Sequence, residues 1–266
     1  MPRQITSYSN PLVKHVKGLR ERKYRRDSRQ FMAEGLRILT EARESGRVPR
    51  TLFFAAAGAE HRLAQALIEA TEAAGGEAVE TSPEILGKLS GKDNPQIVLG
   101  VYDEFPTPLE ELDRTRADIW LVAERLRDPG NLGTMLRTGD AVGAGALILV
   151  GECVDPFSVE AVRASMGALF TVPVVRTAWL PFLHWLRAGP GQLVGLSLLT
   201  DQDYRAARYD APTFLLTGNE QQGLPGDYAR ECDLLVKLPM LGKADSLNAA
   251  VAASVMAYEV LAQRRA

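Results

Sequence analysis

Short apolar runs alternate with amphipathic segments along the N-terminal part of the chain, a pattern typical of a small α/β domain. The apolar runs predict strands, and the segments with apolar residues three and four positions apart predict helices. The predicted strands are Phe31–Glu34, Thr51–Ala56, Glu77–Thr81 and Gln96–Val101, and the predicted helices begin at Pro11 and Gly35 and span Arg62–Ala74 and Pro83–Leu89.

The alternation is stronger in the C-terminal half. The predicted strands there are Ile119–Ala123, Ala146–Gly151, Val172–Val175, Leu193–Leu199, Thr213–Thr217 and Leu234–Leu238. The predicted helices are Leu132–Val142, Val159–Ala168, Trp179–Arg187 and Ala249–Gln263. Because the strands are continuous apolar runs, we expect a mostly parallel sheet with helices on both faces and right-handed crossovers.

Between the two halves, Glu104–Arg116 is rich in proline and charge, as a linker would be. The sequence therefore predicts a first α/β domain at residues 1–105, a linker at 106–116 and a second α/β domain at 117–266. No apolar run reaches the roughly 18 residues of a membrane span, and the N-terminus is too polar for a signal peptide.

The cysteines and histidines do not have the spacing of a metal site. Cys153 and Cys232 are far apart in the sequence, and His15, His61 and His184 are isolated. We therefore expect a reduced, cytoplasmic protein that holds no metal.

Positive charge is concentrated near the N-terminus, although the whole chain carries a net charge of only −2. A cluster of basic residues is opposed locally only by Glu21 and Asp27, and this density favours a polyanionic partner over a merely solvated surface. The basic cluster comprises Lys14, Lys17, Arg20, Arg22, Lys23, Arg25, Arg26 and Arg29.

The loops that follow three predicted strands contain the polar residues best suited to chemistry, at the sheet edge where parallel sheets bind ligands. These residues are Asn131, Arg137, Glu220, Ser246 and Asn248. Two amides, an arginine, a serine and one acid suit positioning and charge stabilisation better than covalent or metal chemistry. Asn131 and Ser246 are also predicted to cap the helices that follow them.

Glycine-rich motifs for nucleotide binding are a poor match to this chain. Gly143-Ala-Gly145 follows a helix and precedes a strand, which is the reverse of the dinucleotide-binding order. Gly242-Lys243 is followed by Ala244, whereas a phosphate-binding P-loop requires serine or threonine there. Neither cofactor class is expected.

Three motifs, taken together, resemble the SpoU/TrmH family of knotted RNA ribose 2′-O-methyltransferases. They are Asn131–Gly143, Gly218-Asn-Glu220 with Gly223-Leu224, and Leu238–Gly242 continuing through Ser246–Asn248 to Tyr258-Glu259. Asp155–Ser158 and Arg163–Phe170 follow the same family pattern. The N-terminal half is similar to the substrate-binding domain of rRNA-modifying members, which resembles a ribosomal protein. The matching residues are Ile5–Ser7, Asn10-Pro11, Lys14, the Arg22 to Arg29 cluster, Phe31 and Glu34-Gly35.

The resemblance implies a trefoil knot, a homodimer and the cofactor S-adenosyl-L-methionine. The cofactor contacts carried over by position are Thr217, Gly218, Leu238, Met240 and Leu247. Arg137 would lie nearest the ribose, assisted by Asn131, Glu220, Ser246 and Asn248. In the family this arginine activates the 2′-hydroxyl, but a guanidinium stays protonated, so its chemistry favours stabilising the developing alkoxide. Whether Arg137 acts as a base stays open.

The sequence thus leads to the hypothesis of S-adenosylmethionine-dependent 2′-O-methylation of a ribose in 23S rRNA, and tRNA stays open as the alternative substrate. A non-catalytic RNA-binding or ribosome-assembly protein of the same fold is the alternative from another functional class. A knotted methyltransferase that acts on a base is disfavoured, because its loops differ at the motif positions. Neither the target nucleotide nor a role in antibiotic resistance follows from the sequence.

Overall fold

The structure is a computed structural model and describes residues 3–265. The strands are β1 Arg3–Ile5, β2 Gln30–Glu34, β3 Thr51–Phe54, β4 Glu77–Thr81, β5 Val98–Asp103, β6 Ile119–Glu124, β7 Leu147–Val150, β8 Val174–Thr177, β9 Gln192–Leu196, β10 Thr213–Thr217 and β11 Leu234–Val236. The helices are α1 Pro11–Gly18, α2 Arg22–Ser28, α3 Leu36–Glu44, α4 Ala56–Ala59, α5 Arg62–Ala73, α6 Pro83–Ser90, α7 Pro129–Val142, α8 Val159–Ser165, α9 Trp179–Arg187, α10 Gly226–Glu231 and α11 Ala249–Arg265. The predicted α/β class is confirmed.

The chain forms two compact units. The first comprises the described chain up to Phe105 together with Asp155–Thr171, and the second comprises Pro106–Val154 and the chain from Val172 onward. The sequence had assigned Asp155–Thr171 to the C-terminal part, because a segment that returns to an earlier unit leaves no local signal in the sequence.

The first unit is built on a five-stranded sheet in the order β1-β4-β3-β5-β2. β5 pairs antiparallel with both β2 and β3, whereas β1, β3 and β4 are parallel. An aromatic cluster explains why Asp155–Thr171 belongs here: the ring of Phe31 on β2 lies 4.9 Å from that of Phe157 and 6.1 Å from that of Phe170. Burial of these rings stabilises the unit.

Helix α2 was not predicted, because it is short, highly charged and without apolar periodicity. One buried arginine explains why the segment is ordered. Arg25 is only 3% exposed, and its Nε and Nη2 donate to Asp155 Oδ2 at 2.9 and 2.8 Å. Its Nη1 donates to the carbonyl oxygens of Leu19 and Arg20 at 2.8 and 2.9 Å. The prediction that Arg25 contacts RNA is therefore wrong, because its donors are already engaged inside the protein.

The second unit is built on a six-stranded sheet in the order β11-β9-β10-β6-β7-β8, and its strand pairs are all parallel, as predicted. One face buries Trp120 of β6 and Phe214 of β10 against Phe182 of α9. The other face lies beneath α7 and α11. β6 and β10 are in register, with Thr217 beside Ala123, so the loops that follow these two strands begin side by side.

Helix α8 ends earlier than predicted because of its backbone conformation. The predicted helix Val159–Ala168 stops at Ser165, because Met166 and Gly167 have φ angles of 53° and 106°, which are left-handed and cannot continue an α-helix. Among the described residues, no helix is both long and apolar enough to cross a membrane.

We expect Asp155→Ala to destabilise the first unit by about 3–5 kcal/mol, because it leaves the buried Arg25 guanidinium without its carboxylate. Asp27→Ala is the matched control, since Asp27 forms an exposed ion pair with Arg26 at 3.3 Å and its loss should cost less than about 1 kcal/mol. Urea unfolding followed by circular dichroism measures both. Equal midpoints for the two variants would contradict the structural role of Arg25.

Candidate functional site

Three loops of the second unit meet at the carboxyl edge of its parallel sheet. The first joins β6 to α7, the second follows β10, and the third joins β11 to α11. Asn131 lies in the first turn of α7, just after the first loop, and the second and third loops contain Glu220 and Asn248, respectively. The site is therefore assembled from three separate parts of the chain at the edge where the sequence predicted it.

The side chains of these three residues form a chain of hydrogen bonds. Asn131 is 8% exposed, and its Nδ2 donates to Glu220 Oε1 at 3.0 Å. Asn248 Nδ2 donates to Asn131 Oδ1 at 2.8 Å. Since the amide of Asn131 donates on one side and accepts on the other, its orientation is set by its two neighbours.

Both predicted helix caps are wrong by a few residues. Helix α7 is capped by Asp128, whose Oδ1 accepts from the backbone N–H of Asn131 at 2.7 Å. Helix α11 is capped by Asn248, whose Oδ1 accepts from the N–H groups of Ala250 and Val251 at 3.0 and 3.2 Å. Asn131 and Ser246 therefore do not cap, and the Asn131 side chain is left for the site.

Hydrogen bonds between side chains and the backbone connect the β10 loop to the β6 loop. Asn219 Nδ2 donates to the carbonyl oxygen of Arg125 at 2.9 Å and to Glu220 Oε2 at 3.4 Å. The backbone N–H of Asp128 donates to Glu220 Oε1 at 3.5 Å. The sequence did not predict that Arg125, Asp128 and Asn219 belong to the site. Only their closeness in the chain to Asn131 or Glu220 could have indicated it.

A polar cavity of about 500 Å³ opens beside this network. It is lined by Arg125, Arg127, Asp128, Asn131, Asn219, Glu220, Gln221, Gln222 and Asn248. The lining consists of amides, two arginines and two acids, a set suited to hydroxyl and phosphate groups.

A second, more apolar cavity of about 400 Å³ shares the wall formed by residues 219–222. Its lining includes each of the five predicted cofactor contacts, Thr217, Gly218, Leu238, Met240 and Leu247, and also Ser246. The hydroxyl Oγ1 of Thr217 is buried there without a hydrogen-bond partner in the described chain. A buried unpaired hydroxyl beside an apolar cavity fits a ligand that has both an apolar body and polar groups.

Gly218 is required by the close approach of two backbone segments. A Cβ atom at this position would lie 2.2 Å from the carbonyl carbon of Gly223, and Gly223 itself has a φ of +68°. The turn therefore folds back on itself, and backbone atoms form the wall of the second cavity. Such a wall explains why the residue types in the sequence here carry little chemical information.

Arg137 and Ser246 are not joined to the hydrogen-bonded network. Arg137 is exposed on α7, does not line either of the two cavities, and has no hydrogen bond or ion pair within residues 3–265. Ser246 lines the second cavity and is exposed. Of the five predicted catalytic residues, the structure brings together Asn131, Glu220 and Asn248.

Burial and pairing shift the pKa values of three side chains in the second unit. A hydrogen bond and an ion pair with Glu124 raise the pKa of Arg125. Burial raises the pKa of the Cys153 thiol to about 11 and that of the Cys232 thiol to about 12, so both stay protonated at neutral pH. Within the described residues, no group of three or more histidine, cysteine or acidic side chains is placed to hold a metal ion.

Both halves of the chain are similar to known protein families. Residues 118–258 match the SpoU rRNA Methylase family, and residues 10–100 match the MRM3-like substrate binding domain. The chain is 33% identical to a 23S rRNA (uridine(2479)-2′-O)-methyltransferase of Streptomyces viridochromogenes, over 98% of this chain and 93% of that protein. It is 30% identical to a 23S rRNA (guanosine(2553)-2′-O)-methyltransferase of Bacillus subtilis, over 97% of this chain and 99% of that protein.

Solved structures show the same similarity in three dimensions. The AdoMet-bound rRNA methyltransferase from Sinorhizobium meliloti superposes with a TM-score of 0.92 at 38% identity, covering 98% of both chains. The family match extends over more than half of the chain, and the relatives extend over nearly all of it. The chain therefore belongs to the SpoU rRNA methylase family, whose members transfer a methyl group from S-adenosylmethionine to RNA.

Proposed function

We propose that this protein methylates the 2′-hydroxyl of a ribose in 23S rRNA, with S-adenosylmethionine as the methyl donor. The observation that carries the proposal is the Asn131–Glu220–Asn248 network, which lies at the wall shared by a polar cavity and a more apolar one. Two relatives that align along almost the whole chain are 23S rRNA 2′-O-methyltransferases, which favours this RNA over tRNA. A non-catalytic binding protein would not need the network.

The more apolar cavity would hold the cofactor, through Thr217, Gly218, Leu238, Met240 and Leu247. When bound, the cofactor supplies an electrophilic methyl group on a sulfonium. The unpaired Thr217 hydroxyl provides a polar contact inside the cavity, and the backbone of the turn after β10 provides its shape. No side chain there has to change its protonation state.

The polar cavity would hold the target nucleotide. The fixed amides of Asn131 and Asn248 orient the ribose hydroxyls, and Glu220 holds Asn131 in place through the 3.0 Å hydrogen bond. When the 2′-oxygen accepts the methyl group that the cofactor would supply, the hydroxyl proton would pass to solvent water. The guanidinium of Arg137 stabilises the negative charge that develops on the oxygen.

Arg137 would reach this oxygen from a second copy of the chain. Arg137 lies outside both cavities of its own chain and has no hydrogen bond or ion pair in the described residues. Helix α11 also presents an unpartnered apolar face, with Val251 45% and Tyr258 53% exposed. We therefore propose a homodimer in which each subunit supplies Arg137 to its partner's cavity, with α11 at or near the interface.

A trefoil knot is proposed for the last segments of the second unit. The chain leaves the sheet at its edge strand β11, yet the following helix α11 packs against α7 and the central strands β6 and β10. A knot would bring the loop between β11 and α11 under the β10 loop, which is the arrangement expected of a cofactor site made largely of backbone.

The basic cluster would bind phosphates of the RNA. Seven of its eight members are exposed, the exception being Arg25. Phosphate contacts provide affinity without sequence information, so target choice would depend on RNA shape and on an accessible unpaired nucleotide. We infer a cytoplasmic protein, because ribosomal RNA would be its substrate.

The function is tested by incubating the protein with labelled S-adenosylmethionine and total RNA, followed by mapping of the modified nucleotide. We expect label in 23S rRNA at one ribose, detected as a 2′-O-methyl group resistant to alkaline cleavage. Label in tRNA alone, or on a base, would overturn the proposed substrate.

The role of Arg137 is tested by a mixed dimer. Arg137→Ala should abolish methyl transfer while cofactor affinity stays near the wild-type value, because Arg137 does not line the cofactor cavity. Asn131→Ala should also be inactive. If each subunit supplies its arginine to the other, a purified dimer of one Arg137→Ala chain and one Asn131→Ala chain has one intact site of two and about half the wild-type rate. An inactive mixed dimer would mean that the arginine acts within its own chain.

The basic cluster is tested by salt dependence. The double variant Lys14→Gln/Lys17→Gln should bind 23S rRNA more weakly, with a slope of log affinity against log salt that is smaller by about one to two. Arg37→Gln/Arg62→Gln removes two exposed charges of the same unit outside the cluster and is the matched control. Equal slopes for the two variants would exclude phosphate contacts by the cluster.

A further inference from the structure

Arg125 adopts a backbone conformation that residues other than glycine rarely adopt. Its φ is 43°, in the left-handed region, immediately after β6. The conformation is held by Asn219, whose Nδ2 donates to the Arg125 carbonyl oxygen at 2.9 Å. Glycine would fit this position without strain, and strained residues of this kind concentrate at functional sites. The arginine side chain therefore needs an explanation beyond folding.

The side chain of Arg125 is held by a buried acid. Glu124 is 1% exposed, forms an ion pair with Arg125 Nε through Oε1, and leaves Oε2 without a partner in the described chain. Gly151 leaves room for the arginine, since a Cβ atom there would lie 3.2 Å from Arg125 Cγ. Because the pair uses Nε, the two terminal nitrogens make no hydrogen bond to residues 3–265.

A second guanidinium on the same wall is also free. Arg127 is exposed, lines the polar cavity, and makes no hydrogen bond or ion pair within the part of the chain that the structure describes. The two acids of the cavity are already engaged, Asp128 in capping α7 and Glu220 in accepting from Asn131. The N-terminus of the 14-residue helix α7 opens at the same wall and adds partial positive charge.

We propose that Arg125 and Arg127 form a phosphate subsite, which binds the phosphodiester next to the target ribose. Two free guanidinium ends on one wall match the paired oxygens of a phosphodiester, and Glu124 is the residue that positions Arg125. The subsite would fix the nucleotide while Asn131 and Asn248 orient its ribose. The inference rests on the proposed function in one respect, namely that the ribose enters the polar cavity.

The ligand is assigned as phosphodiester because of where the two arginines lie. Both line the polar cavity, and neither lines the cavity assigned to the cofactor. A carboxylate of the cofactor would need them in the other cavity. The two sources of negative charge are separated by measuring RNA affinity and cofactor affinity in the same variants.

The first test uses Arg127→Gln, since Arg127 has no partner whose loss would disturb folding. We expect RNA affinity to fall about 10- to 100-fold, which corresponds to the loss of charged hydrogen bonds, and the salt slope to fall by about one. Arg208→Gln, an exposed arginine elsewhere in the second unit, is the matched control. Arg125→Lys keeps a cation beside Glu124 but removes the planar fork, and should raise KM more than it lowers kcat.

The second test locates the phosphate. RNA oligonucleotides that span the mapped ribose are made with one neutral methylphosphonate linkage, placed on either side of the ribose or several nucleotides away. We expect one flanking substitution to weaken binding to the wild-type protein but to have little further effect on Arg127→Gln. Distant substitutions should weaken both proteins equally.

These outcomes separate the subsite from the proposed function. Wild-type salt slope and affinity for 23S rRNA in Arg127→Gln would overturn the subsite, whether or not the protein methylates that RNA. Additive losses at both flanking linkages would overturn it while leaving methylation intact. Loss of S-adenosylmethionine affinity with unchanged RNA affinity would reassign the arginines to the cofactor. Absence of methyl transfer by the wild-type protein would instead count against the proposed function.

Discussion

The hydrogen-bonded amide of Asn131 is the contact on which the site depends. It accepts from Asn248 at 2.8 Å and donates to Glu220 at 3.0 Å, so one buried side chain connects the first turn of α7, the β10 loop and the N-cap of α11. A buried amide of this kind is stable only when its donors and acceptors are satisfied. The three loops therefore hold one another in place, and the fold positions the site through this residue.

The two cavities divide the chemistry between backbone and side chains. The more apolar cavity is shaped by Gly218, where the backbone approaches too closely for a Cβ atom, and by Gly223, whose φ of +68° is left-handed. The polar cavity is lined by amides, arginines and acids, among which Asn131, Glu220 and Asn248 are joined by hydrogen bonds. This division is suited to holding one ligand by shape and another by charge and hydrogen bonding.

Arginines in this protein serve opposite purposes depending on their partners. Arg25 is buried, bound to Asp155 and two carbonyl oxygens, and contributes to the order of the first unit. Arg127 and Arg137 have no hydrogen bond or ion pair within residues 3–265, and their guanidinium groups are available to other molecules. Arg125 combines both properties, because Nε binds a buried acid while its terminal nitrogens make no hydrogen bond within the described chain. Guanidinium donors that make no hydrogen bond within the described chain distinguish an arginine that can bind another molecule from one that stabilises the fold.

Apolar runs and motif positions are local properties, so the α/β class, the parallel sheet of the second unit and the motif positions of Asn131, Glu220 and Asn248 could be read from the sequence. Other features became visible only in the folded chain: Asp128 and Asn248 are the caps, Arg25 is internal, Asp155–Thr171 belongs to the first unit, and Arg125 lines the polar cavity. Each of these depends on a partner distant in the chain or on a backbone angle. Residue type and spacing do not reveal either. An arginine can therefore lie in the core or line the cavity, depending on which acid the fold places beside it.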